Sequence, residues 1–194
     1  MKKQLRHAIE REYKIALKDS ASREWHAREV SQAAEIRRKA VEKTLDDGWI
    51  AAVLYGRYEL LGNFGNAWNQ IKRPPTAAQY PAIRNIFSKL LAKVAGGKGV
   101  SKTEFDQYKK QLGSLGVPSA VANRFAAACF PSQLAATVTD SKMSKVYRKL
   151  SRIGKTAPVL TNWFEQNEQV VDWIRTVLPN TDDAWRAVLV WRLR

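Results

Sequence analysis

Two histidines, His7 and His26, and one cysteine, Cys129, are the side chains of this 194-residue sequence that most readily do acid–base, metal or nucleophilic chemistry. Both histidines sit among alternating acids and bases, the pattern of a solvated helix face, with no cysteine or carboxylate at metal-ligand spacing. Cys129 follows an alanine run and precedes Phe130-Pro131, the setting of a small buried residue rather than a nucleophile. Asp46-Asp47 and Asp182-Asp183 stand where helix ends are expected, the second pair at the favourable end of the dipole. Neither pair is joined by the further acid or lysine that a nuclease centre needs. The glycine-rich AGGKGVSK at 95–102 lacks the Walker spacing, because Lys98 is followed by Gly99 and no apolar strand precedes it. It reads as a basic turn. Catalysis is not indicated.

What the sequence does offer is charge. Lysine and arginine number 33 against 18 aspartates and glutamates, a formal net charge of +15. Residues 63–160 hold 16 bases and only three acids, Glu104, Asp106 and Asp140. By contrast, residues 1–45 mix 12 bases with seven acids, and 161–194 carry four bases and five acids. Mixed signs support i,i+4 pairs on a solvated helix. A segment that does not neutralise its own field suffers self-repulsion, which a polyanionic partner relieves. Nucleic acid is the first such partner and an acidic membrane surface the second.

The densest stretch is SKMSKVYRKLSRIGK, 141–155. There Lys142, Lys145, Arg148, Lys149, Arg152 and Lys155 fall at helical spacing with no acid, and Met143, Val146, Tyr147 and Leu150 form the apolar side. Lys72, Arg73, Arg84, Lys98, Lys102 and Arg124 complete the candidate phosphate contacts. Aromatics gather at Trp49, Tyr55, Tyr58, Phe64, Trp68 and Tyr80, around a Gly/Asn-rich loop beside Lys72-Arg73. Trp49, Tyr55 and Phe64 read as core, and Trp68 and Tyr80 as candidates for stacking on an exposed base. The stretch LGSLGVPSAVANR, 112–124, resembles a helix-hairpin-helix, with Pro118 in place of the second glycine.

The elements that must position these residues read as nearly all helix. Spans are expected at 22–46, 49–61, from Thr76 to about Val94, from a capping box at Ser101-Glu104 through Leu112, at 118–129, at 141–151, from Asn162 to about 178, and from Thr181 onward. Residues 62–70 read as loop, and 132–139 as a segment able to be extended. The length suits one compact domain, with a possible subdivision near 62–76. A single cysteine excludes an internal disulfide framework. No apolar run approaches the roughly 20 residues of a membrane span. The N-terminus starts like a signal peptide, but acids and bases interrupt its apolar stretch. An intracellular, cytoplasmic domain is expected.

Val121-Ala122-Asn123-Arg124-Phe125-Ala126-Ala127-Ala128-Cys129-Phe130-Pro131, then Thr137-Val138-Thr139-Asp140, then Asn162-Trp163-Phe164-Glu165-Gln166-Asn167, resemble a pattern of McrB-type modification-dependent restriction proteins. In that family a variable N-terminal region precedes an AAA+ GTPase module. The resemblance covers about 110–180 and carries no catalytic signature. It implies a DNA-recognition part without its nucleotide-binding module, and hence an AAA+ GTPase module and a nuclease subunit as partners.

The expectation is therefore an all-α domain that binds duplex DNA without catalysis or cofactor. The basic surface is expected from the 72–110 region together with helix 141–152. About six to ten engaged phosphates would make affinity fall by orders of magnitude as salt rises. The alternatives are an interaction module for an acidic protein, such as an inhibitor that mimics DNA charge, and an RNA-binding helical domain of the antitermination type.

Overall fold

A computed structural model of the chain describes residues 3–55, 75–135 and 139–193. Every regular element among them is helical: α1 (Lys3–Lys18), α2 (Ser20–Glu42), α3 (Asp47–Tyr55), a 3₁₀ turn (Ala77–Gln79) leading into α4 (Tyr80–Ala95), α5 (Lys102–Ser114), α6 (Ser119–Cys129), α7 (Asp140–Ile153), α8 (Trp163–Val177) and α9 (Asp183–Arg192). The protein is all-α.

Short polar side chains set most of the helix starts, because the first amides of a helix lack intrahelical partners. Ser101 accepts from the Glu104 amide while the Glu104 carboxylate accepts from the Ser101 amide, closing a capping box on α5. Asn162 accepts from the Glu165 amide at 2.9 Å and Asp182 from the Trp185 amide at 2.8 Å. Asp46 takes the Trp49 amide at 2.7 Å, and Asp19 takes the Ser22 amide at 2.9 Å where α2 begins. Thus the acid pairs of the sequence are helix caps. The 22–46 span is shorter at its end than its periodicity predicts: α2 closes at Glu42, and Lys43 follows in the left-handed region with φ 56°.

The chain divides into two compact units, a central one of residues 31–130 and a terminal one that joins 1–30 to 131–194. The first part of α2 belongs to the terminal unit and its second part to the central unit. The subdivision considered near 62–76 falls inside the central unit, largely outside the described residues.

In the central unit, Trp49, Phe87 and Phe125 form the aromatic heart. Phe87 and Phe125 stack at 4.1 Å, and the Trp49 ring meets both edge-on at 6.5 and 6.2 Å. All ten buried positions of α6, from Ala120 to Cys129, lie within this unit. With Asn123 and Arg124 buried along with its apolar residues, α6 offers almost no solvated face. A tight turn joins α5 to α6 through Gly116, whose φ of 80° suits glycine alone, and the Val117 amide returns to the Leu112 carbonyl at 3.0 Å.

In the terminal unit α7 and α8 pack together, and α1 and α9 close over them. Tyr147 stacks on Trp173 at 5.7 Å, and Trp25 stacks on Trp191 at 5.9 Å. The segment expected to be extended at 132–139 begins instead with a turn at 131–133. Leu134 and Ala135 are buried there, and Asn167 holds Ala135 by both backbone groups, accepting from its amide at 2.8 Å and donating to its carbonyl at 2.9 Å. One amide side chain supplies the pairing that a neighbouring strand would otherwise give.

Candidate nucleic-acid interface

The basic stretch at 141–155 becomes α7, and its two sides separate as the spacing predicts. Met143, Val146, Tyr147, Leu150 and Ser151 are buried. Lys145, Arg148, Lys149 and Arg152 are exposed, and Lys155 is exposed just beyond the helix. Positions 145, 148, 149 and 152 repeat at three and four residues, so they share one face over about 10 Å of axis. The helix starts on Thr139, whose hydroxyl accepts from the Lys142 amide at 3.3 Å. It ends in a left-handed Lys155 (φ 50°), with the Thr156 amide reaching back to the Ser151 carbonyl at 2.9 Å. Gly154 before it is packed: a Cβ there would sit 3.4 Å from the Leu5 side chain and 3.2 Å from the Leu150 carbonyl. Bases in the last turns of α7 also complement the negative end of its dipole.

Three bases of this face stand without a neighbouring acid. Several bases elsewhere are matched to acids, Arg84 to Asp47 at 2.5 Å, Lys93 to Glu104 at 2.7 Å, Lys102 to Asp106 at 3.1 Å, and Arg192 to Asp19 at 3.2 Å, while others such as Arg28, Lys89 and Lys110 are exposed without an ion pair to a described residue. Lys145, Arg148 and Arg152 form no ion pair with any described residue. Three exposed, unmatched cations on one helix face are free to meet external anions.

The remaining candidates are dispersed. Lys72, Arg73 and Trp68 lie outside the described residues, as do Tyr58 and Phe64. Lys142 is half-buried near the start of α7, and Tyr80 is half-buried as the first residue of α4. Arg84 is held by Asp47, and its Nε is buried without a hydrogen-bond partner. Lys98 is exposed in the glycine turn after α4. The neighbouring start of α5 is no phosphate cradle, because the Glu104 carboxylate already takes the Ser101 amide at 2.9 Å and hydroxyl at 2.8 Å. Lys93 beside it, with those Ser101 bonds, draws the Glu104 carboxyl down from 4.5 to about 2.

Arg124 is corrected outright. It is 2% exposed and donates to the Gln32 side-chain oxygen. A guanidinium enclosed in this way is a structural donor, since burial demands a fixed partner and denies access to a phosphate. The McrB-type pattern is likewise made of packing residues: Val121 to Phe130 are buried, Asn162 caps α8, and Asn167 holds Ala135. Thr137 and Val138 lie outside the described residues.

The conventional chemical groups are also structural. Cys129 is buried, which pushes its thiol well above the ordinary value and away from thiolate. His7 is exposed, as a solvated helix face requires, but His26 is not simply solvated. Its ring stacks on Trp185 at 4.4 Å and its Nε2 lies 3.0 Å from the Asp182 carboxylate, partners that sequence spacing could not reveal. Among the described residues no group of three or more His, Cys, Asp or Glu is placed to hold a metal ion, and no helix is long and apolar enough to cross a membrane.

Fold and site together define an all-α protein in which one helix, α7, presents three exposed cations without an ion pair among the described residues. No family model matches the chain, and no curated protein or solved structure matches it.

Proposed function

We propose that this chain is a non-catalytic DNA-binding module that contacts duplex phosphates through the exposed face of α7. The observation that carries the reading is the unmatched trio Lys145, Arg148 and Arg152, in a chain that pairs many of its other bases internally. A duplex presents one phosphate charge per ~1.7 Å of axis, so the ~10 Å face spans about six of them. With Lys149 and Lys155 alongside, about five contacts are within reach, and log K then falls with log salt at a slope of about −4 to −5. Lys98 is one of the exposed bases of the central unit that can add to this. Tyr80 is its candidate for stacking on a base.

The resemblance to McrB-type proteins extends the proposal to target recognition in a cytoplasmic restriction system, beside an AAA+ GTPase module and a nuclease subunit. Fluorescence anisotropy with a labelled duplex across a salt series tests the binding reading. A cytosine-methylated duplex tests the extension, and RNA of equal length tests the choice of DNA. Steep salt-dependent binding supports the reading. Absence of binding at low salt overturns it and turns attention to acidic protein partners.

A further inference from the structure

The central unit carries a half-open pocket of about 490 Å³ between the end of α2 and α4, within the range typical of small-molecule sites. Its wall is apolar or small: Ala40 and Leu45 on one side, and Ser88, Leu91, Ala92 and Ala95 along α4 on the other. Among the described residues the charged ones that line it are both bases, Lys39 and Lys43. At the ~30 Å³ that one water occupies in the liquid, the space holds on the order of 15 non-hydrogen atoms.

The two lysines are unusual in complementary ways. The Lys39 side chain is only 11% exposed, yet its ammonium stands 3.4 Å from Glu42 and 3.8 Å from Asp46. These are ion pairs longer than the ~2.8 Å of a charge-assisted hydrogen bond, so the two carboxylates offset its charge while no described residue takes its protons in a hydrogen bond. A nearly buried ammonium with three donors thus keeps capacity for an acceptor. Lys43 sits in the left-handed region at φ 56°, where a side chain is held at a cost, and forms no ion pair with a described residue.

We propose that this cavity binds a small amphipathic anion, an apolar body seated against Leu45 and Leu91 with its acidic head between Lys39 and Lys43. Apolar burial supplies the attraction and the lysines select the charged end. The site is independent of the α7 face.

The test is isothermal titration calorimetry of the full chain with decanoate and, in parallel, decanol. Decanoate is expected to bind with 1:1 saturation and decanol more weakly. Lys43→Gln should weaken decanoate about three- to fivefold, the size of one exposed charge pair, and leave decanol unchanged. Ser88→Leu with Ala92→Leu fills the cavity from exposed positions of α4 with a good helix former and should abolish binding. Arg148→Ala with Arg152→Ala should leave decanoate binding intact, which separates this site from α7. Should the leucine pair lower the melting temperature, the Lys43→Gln comparison decides alone. Absence of decanoate binding, equal binding of decanol, or indifference to Lys43→Gln overturns the proposal.

Discussion

Arg148 and Arg124 are the same residue type with opposite roles, and burial decides between them. Arg148 stands on the exposed side of an amphipathic helix, whereas Arg124 lies in a helix enclosed on every side. The stripe at 141–155 was legible because four apolar residues mark one side and every charge in it is a base. The sequence reading places Arg124 among the phosphate contacts, and its enclosure emerges from the structure, where its hydrogen-bond partner Gln32 comes from far away in sequence. If Arg148 meets phosphate, Arg148→Ala weakens binding to all duplex sequences alike and lowers the salt slope by about one, read from anisotropy titrations. Glu104 supports a second prediction. Its folded pKa of about 2 lies below the ordinary 4.5, so its stabilising contribution is present above pH 4.5 and is lost as pH falls toward 2. Melting temperatures of Glu104→Gln and the parent chain should therefore converge across that window; a constant difference from pH 7 to pH 2 would remove the Lys93 and Ser101 contacts as its cause.

At the scale of elements, the local signals were the reliable ones. Ser101, Asn162 and Pro118 mark helix starts because capping is chemistry between near neighbours. The early end of α2 was hidden, since Ala40 and Val41 continue the apolar spacing while Lys43 turns left-handed. Removing the Asn162 cap by Asn162→Ala should cost about 1 kcal/mol, measured by denaturant unfolding. The α5–α6 turn depends on Gly116: nothing crowds its missing Cβ within 4 Å, so a side chain there is opposed by the backbone angle alone. Gly116→Ala should destabilise by roughly 1–2 kcal/mol, and an unchanged unfolding midpoint would contradict the left-handed turn.

On the scale of the whole molecule, composition conveyed the net charge but not how it is divided. The terminal unit, 1–30 with 131–194, carries 18 bases and 11 acids, and the central unit 15 bases and seven acids. Both units are positive, so a long polyanion is attracted to either. The boundary between them is invisible in composition because it falls within α2, between Val30 and Ser31. His26 with Asp182, and Arg192 with Asp19, show why: partners more than 150 residues apart bring the chain's two ends into one unit.

The central claim is that the α7 face binds DNA phosphates. The most direct measurement is the slope of log affinity against log salt for a duplex, compared between the parent chain and Arg148→Ala with Arg152→Ala. A steep parent slope of about −4 or beyond, reduced by about two in the variant with its melting temperature unchanged, is the predicted result. Equal slopes for the two proteins, or no binding to the duplex at low salt, would contradict the account.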